Sequence, residues 1–208
     1  MTAVIARETG RDAYVTEPTS TPRERIVAGA ADMISRRGLN ATSIRDMAKH
    51  ARAPLGSTYH YFPDGKQQLA TEAVRYTGEW TARSLRKELR AGPVAGLRAF
   101  LGLWRGIVVD SDFRAGCPVL AVSIEEPATE ETPAALAAAA EVFETWETLL
   151  ADSLREHGAE PGRAAQLATL IVAAVEGTVA MCRAKRSTQP LDHTAEQLQA
   201  LILATIEE

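Results

Sequence analysis

A chain of 208 residues, 46% apolar and 24% charged, suffices for one large domain or two small ones around a real core. Its two cysteines, Cys117 and Cys182, exclude a disulfide framework and lack zinc spacing; with no signal peptide and no apolar run of roughly 20 residues, a cytoplasmic protein without a membrane partner is expected. The net charge of −4 is unevenly spread, because residues 22–66 hold eight Lys/Arg against four Asp/Glu while residues 67–208 hold thirteen against twenty. A basic quarter joined to an acidic remainder points to an anionic partner at one end, with chance clustering of surface charge as the plainer account.

The pattern predicts an all-α fold of about nine helices, with no alternating strand signal and no internal repeat. Residues 1–20 read as a polar, flexible tail. The first helix opens at Pro22 behind Thr21 as cap, carries Ile26, Ala30, Met33 and Ile34 inward, and stops at Gly38. Thr42 caps a short second helix with Ile44, Met47 and Ala48 on one side. Pro54 opens a third, holding "LGSTYHYF" and ending at "PDGK". Longer helices follow from Gln67 to about Arg90 and from Val94 to about Val109. "DSDFRAG" breaks the pattern, and a short apolar piece starts at Cys117-Pro118. Pro133–His157, Pro161–Arg186 and His193–Ile206 complete the chain.

Three short helices, the second and third joined by a tight turn, are the makings of a helix-turn-helix, whose third element enters the major groove of DNA. In the third helix, Thr58 and Phe62 lie four apart and should pack inward, leaving Gly56, Ser57 and His60 outward. Gly56 lets a duplex approach closely, and Ser57 and His60 carry hydrogen-bonding groups for base edges. Tyr59 and Tyr61 pair a ring that packs with a hydroxyl for a phosphate. Lys66 supplies a point charge. Thr42 offers a hydroxyl and, with Ser43 beside it, a helix N-terminus to a phosphate. Core aromatics of a small bundle are the plainer reading of the rings.

The run "RERIVAGAADMISRRGLNATSIRDMAKHARAPLGSTYHYFPDGKQQLATEAV" resembles the N-terminal DNA-binding domain of the TetR family of bacterial transcription regulators. "FPDGK" is one residue longer than the usual family ending. With "GCPV" at 116–119 it resembles one branch often found in actinobacteria and bacilli. Three departures bear on the sequence read. Arg52 stands where Gly is common, which raises the prospect of a non-Gly residue at positive φ. Pro54-Leu55 replace a frequent Ser-Lys, so Leu55 offers a thymine methyl a contact instead of offering a phosphate a charge. Tyr61 replaces a frequent His.

The resemblance implies a DNA-binding domain over 21–66 and a ligand-binding and dimerisation domain over 67–208. Trp104, Phe113, Phe143, Trp146 and Met181 supply aromatic and soft surface for an apolar cavity, with Cys117 beside them or simply buried. Glu176 interrupts the apolar stretch "LATLIVAAVEGTVAM" and is a candidate ligand contact unless it faces solvent or a partner. In the family the last two helices form a four-helix bundle with their copy. Here that implicates Leu167, Leu170, Ile171, Ala174, Thr178, Leu198, Leu201 and Ile202, unless these stripes close the monomer's own core. The expected partners are a palindromic double-stranded DNA operator, a small apolar or amphipathic effector and a second copy. No cofactor, metal or catalytic residue is expected, since there is no phosphate loop, no HExxH and no sequence-adjacent Cys–His pair. The alternatives are a helical small-molecule-binding protein with degenerate DNA recognition, or a small helical enzyme relying on Glu176 or Cys117.

Overall fold

The computed structural model describes residues 21–126 and 133–206, and within them every regular element is helical. The expected tail, residues 1–20, lies outside the described residues. Helix α1 spans Pro22–Arg37. Thr21 caps it through a reciprocal box with Glu24, and Gly38 ends it at φ 80°. Helix α2 spans Ile44–His50 and α3 spans Leu55–Tyr61. Helix α4 runs over Gly65–Glu88, two residues earlier than the sequence pattern suggested, so Lys66 lies inside its first turn. A single 3₁₀ turn at Leu89–Ala91 leads into α5, Pro93–Asp110. The short α6 spans Pro118–Ser123, α7 Ala134–Glu156, α8 Pro161–Lys185 and α9 Gln189–Ile206.

Local chemistry explains most of these limits. Pro93, Pro118 and Pro161 stand in first turns, where a missing N–H costs nothing. One cap was misassigned from sequence. Ser43, not Thr42, caps α2, because Asp46 three residues on completes a reciprocal box with Ser43. Thr42 is buried and donates its hydroxyl to the Gly38 carbonyl at 2.7 Å. Helix α9 also starts four residues before the expected His193, with Pro190 and Leu191 buried in its first turn.

Helix α4 packs on α1 at one end and along α7 at the other, and so belongs to both halves of the protein. Helices α7, α8 and α9 follow as a layer, and α5 closes it against α9, α4 and α8. The expectation that no segment suits a bilayer needs correction for α8. By length and composition alone, this 25-residue helix is apolar enough to cross one, its most apolar 18-residue stretch having a mean hydropathy of 1.6. Half of that stretch is buried in the bundle, and Glu176 stands in the middle of it.

The core of the larger half is a set of rings met edge to face. Trp104 and Trp146 have centroids 6.2 Å apart; Phe100 touches both, and Phe143 lies 5.8 Å from Trp146. The Trp146 indole N–H donates to the Gly78 carbonyl of α4 at 3.1 Å. Helices α4 and α7 come this close because Gly78 has no side chain, since a Cβ there would sit 2.3 Å from a methyl of Val142. Gly78→Ala should therefore destabilise by about 1–3 kcal/mol in urea unfolding, although alanine is the better helix former. Adding Val142→Ala should recover most of the loss, and additive losses in the double variant would contradict this packing argument.

Candidate nucleic-acid interface and effector site

The second helix is pinned to α1 through a buried carboxylate. Asp32, fully buried, accepts from His50 Nε2 and Arg36 Nε at 2.7 Å each, which ties the end of α2 to α1. Gly29 of α1 leaves room for the turn after α2, because a Cβ there would meet the Ala51 Cβ at 2.8 Å. Arg52 takes φ 53°, so the left-handed position expected of a glycine is filled by a non-glycine.

From this base α3 divides into two faces. Thr58 and Phe62 are fully buried; Thr58 donates its hydroxyl to the Pro54 carbonyl at 3.1 Å, and the Arg23 guanidinium lies 5.1 Å above the Phe62 ring. Gly56, Ser57, Tyr59 and His60 are exposed, and a Cβ on Gly56 would meet nothing within 4 Å. Leu55 and Tyr61 are half-buried at either end, with the Tyr61 ring edge-on to His60 at 5.7 Å. Lys66 is half-buried at the start of α4. Ser43 is exposed at the N-terminus of α2, whereas the side chain of Thr42 points away from solvent. The structure thus gathers Leu55, Gly56, Ser57, Tyr59, His60 and Tyr61 on one short helix and removes Thr42 from that surface.

Arg52, noted above only for its place in the turn, and Arg25 stand beside this face. A cleft of about 290 Å³ between the start of α1 and α3 is lined by Arg25, Arg52, Ser57 and Tyr61, among others. Its content of cation, hydroxyl and phenol suits a phosphate oxygen. The signal available in sequence was the +4 balance of residues 22–66, which does not say where each cation points.

Residues 26–73 match the family model described as bacterial regulatory proteins, tetR family. Residues 93–197 match the model described as transcriptional regulator LmrA/YxaF-like, C-terminal domain. The HTH-type transcriptional regulator Rv0196 of Mycobacterium tuberculosis is 42% identical over 190 residues, which cover 90% of this chain and 97% of that protein. The chain belongs to the TetR family. YxaF, an HTH-type transcriptional regulator of Bacillus subtilis, is 31% identical over 86% of this chain and 94% of its own length. A regulatory protein TetR from Rhodobacter sphaeroides shares the fold with a TM-score of 0.77 at 23% identity, covering 88% of this chain and 99% of that one. The protein is thus a DNA-binding transcriptional regulator and not an enzyme.

In the larger half of this TetR-family regulator, the residues singled out from sequence fall into separate groups. Trp104 and Trp146 are fully buried and pack on each other, with Phe143 half-buried against them. They act as core where a cavity lining was expected. The Trp104 indole N–H nevertheless has no hydrogen-bond partner. Phe113 sits apart in the α5–α6 loop at φ 58°, with the Arg186 guanidinium 5.7 Å from its ring. Met181 is 48% exposed on the outer side of α8 and lines nothing internal.

Glu176 and Cys117 do come together. Glu176 is only 3% exposed, and neither carboxylate oxygen has a hydrogen bond of ordinary geometry. Its one titratable neighbour among the described residues is the Cys117 thiol at the start of α6. Burial raises the Glu176 carboxyl to about 8, against a slight opposing pull from Cys117. Burial also pushes the Cys117 thiol well above its ordinary value, with Glu176 adding to the shift. A thiol kept protonated in this way is a poor nucleophile, which argues against redox sensing at Cys117.

The interface candidates divide as well. Leu167, Ile171, Thr178, Leu198 and Ile202 are buried within the single chain, so this stripe closes its own core. Leu170 and Leu201 are exposed, and Ala174 is half-buried. The exposed side of α8 carries Leu170, Ala173, Gly177, Ala180, Met181 and Ala184. Sequence spacing could not tell the two sides apart, because α8 is apolar nearly all round.

A pH prediction follows from Glu176. The unfolded chain ionises this carboxyl near 4.5 and the folded chain near 8, so between those values the folded state holds one proton more. Stability should therefore fall as pH rises through that window, by an amount on the order of a few kcal/mol. Glu176→Gln should flatten that part of the profile in urea unfolding across the same pH range; an unchanged slope would contradict the assignment.

Proposed function

We propose that this regulator is a homodimeric repressor that works in the cytoplasm on a palindromic operator and lets go when a small apolar or amphipathic effector binds its larger half. Residues 21–66 form the reading unit in this proposal, and residues 67–208 form the effector and dimer unit. The observation that carries it is the two-faced α3, with Thr58 and Phe62 anchored inward and Gly56, Ser57, Tyr59 and His60 presented to solvent. A groove-reading helix needs this division, because it must be held rigidly on one side and be free to hydrogen-bond on the other.

The effector reading is supported by Glu176. A carboxylate buried without a partner costs the fold free energy that an apolar residue of the same size would not. Such a residue makes sense where a bound molecule completes its hydrogen bonds, here a molecule with a donor or cationic group on an apolar body. Aromatic and aliphatic side chains around α5, α7 and α8 suit the rest of such a molecule.

The dimer reading is supported by the outer side of α8. Leu170 and Met181, each nearly half exposed, line one edge of a row of Ala173, Gly177, Ala180 and Ala184 that lets a second helix approach closely. A helix that is apolar all round belongs in an interior, and only a second copy supplies the missing wall. Two-fold symmetry also matches a palindromic site.

Two experiments test these readings. In mobility shifts with DNA from upstream of its own gene, the protein should bind specifically, and log affinity should fall linearly with log salt. Tyr59→Ala and Lys66→Ala should weaken binding to all sequences, whereas His60→Ala should relax preference at particular base pairs. Absence of any sequence-selective shift at moderate salt would sink the DNA reading. Gly177→Arg tests the dimer. A Cβ at Gly177 meets nothing within 4 Å inside the protomer, so the variant should keep the parent's helicity. Light scattering should show it as a monomer that binds the operator far more weakly; a Gly177→Arg dimer would exclude this face.

A further inference from the structure

The C-terminal end of α1 is gripped from two sides by the larger half of the molecule. From α8, Arg183 donates through Nη1 to the Ser35 carbonyl at 3.0 Å and through Nη2 to the Arg36 carbonyl at 3.2 Å. Both acceptors belong to the last turn of α1, where carbonyls lack helical partners and a cation is favoured. From just beyond α6, Glu125 accepts the Leu39 amide on one oxygen and the Asn40 amide on the other, each at 2.6 Å. The Asn40 side chain adds a bond to the Glu126 carbonyl at 3.2 Å. Between these arms lies Gly38. At φ 80° it favours glycine, and a Cβ there would fall 2.0 Å from Glu125 Oε1, so the same residue is required by the backbone and by the grip.

The two arms are anchored on elements that also meet at Glu176. Cys117, whose thiol faces Glu176, caps the start of α6, and Glu125 lies just past the Ile124 cap at its other end. Helix α8 carries Glu176 and, two turns further on, Arg183. Any change of spacing between α6 and α8 at the Cys117–Glu176 contact must shift Glu125 relative to Arg183. Both hold one turn, and that turn leads straight into α2, which Asp32 and His50 tie to α1.

We propose that Glu125 and Arg183 are positioning residues for DNA binding: they clamp the α1–α2 turn between α6 and α8 and transmit the spacing of those helices to the reading helix. The clamp rests on the DNA-binding reading above and adds the route by which an effector state would reach α3. The grip is charge-assisted at both ends, so removing either partner leaves backbone groups without the bonds that orient the turn.

The test uses the full-length protein with Glu125→Ala, Arg183→Met, the double variant, and Arg183→Lys, which keeps one donor. Operator affinity, thermal unfolding and hydrogen exchange of the amides after α1 are measured together. Glu125→Ala and Arg183→Met should each lower operator affinity on the order of ten-fold while barely moving the unfolding temperature. Exchange at Leu39 and Asn40 should quicken in Glu125→Ala. The double variant should lose little more than either single one, because both arms hold one turn, and Arg183→Lys should fall between parent and Arg183→Met. Parent-like operator affinity in both single variants would overturn the proposal, as would a loss of affinity that only tracks a loss of unfolding temperature. If the parent itself binds no DNA, the functional reading fails by itself. Exchange at Leu39 and Asn40 then still decides the clamp, and equal rates in parent and Glu125→Ala would refute it.

Discussion

A helix of seven residues has no stability of its own in water, so α3 exists only because Thr58 and Phe62 are buried. Everything asked of its other face depends on that anchorage. Phe62 is fully buried in the core and covered by the Arg23 guanidinium. Arg23 is itself fixed by an ion pair with Glu72 on α4 at 2.6 Å. The exposed pair is worth little as an energy, but it fixes the cation over the ring. The result is a short helix with a rigid root and an open surface, in which Tyr59 and His60 need no packing role.

Two buried carboxylates show how the same residue chemistry separates structure from function. Asp32 is fully buried, but Arg36 and His50 both reach it at 2.7 Å, so its charge is matched and it fastens α2 to α1. Breaking such a pair would strand a charge in the interior, which makes Asp32 a structural rivet. Glu176 is nearly as deeply placed, and its oxygens have only the Cys117 thiol beside them, with no hydrogen bond of ordinary geometry. It titrates near 8 and so is mostly neutral at physiological pH, which lessens the cost of burial without removing it. A sequence optimised only for folding would place leucine or methionine there. This acid is therefore the residue on which the effector proposed for the larger half rests most heavily.

The helices were legible in the sequence because their ends carry chemistry. Pro22, Pro93, Pro118 and Pro161 mark first turns, and Gly38 and Gly92 mark stops. Where two candidates stand side by side the pattern is ambiguous. Thr42 and Ser43 both offer a hydroxyl, and only the position of Asp46, three residues after Ser43, decides for the latter. The two faces of α3 followed from a four-residue spacing on one helix. Facing in the larger half did not, because α8 is apolar on both sides, and Trp104 and Trp146 look alike as core or as cavity wall. The contacts of Glu125 and Arg183 with the turn after α1 were out of reach altogether, since they join residues 85 to 148 positions apart.

Charge placement adds a constraint on how the proposed dimer would meet a duplex. The unit over residues 22–66 carries four more basic than acidic residues, and residues 67–208 carry seven more acidic than basic ones. A polyanion is therefore drawn to the reading units and repelled by the body, which orients an encounter before any base is touched. The cleft holding Arg25 and Arg52 lies against α3, so in the proposed complex a phosphate drawn by this pull would arrive beside Ser57 and Tyr61. Attraction of this kind carries no sequence information, because it acts on every phosphate alike. Selectivity must then come from the few exposed side chains of α3 and from the spacing of two such helices. Spacing is a property of the whole dimer, so a regulator built this way can be switched without altering a single residue that faces the bases.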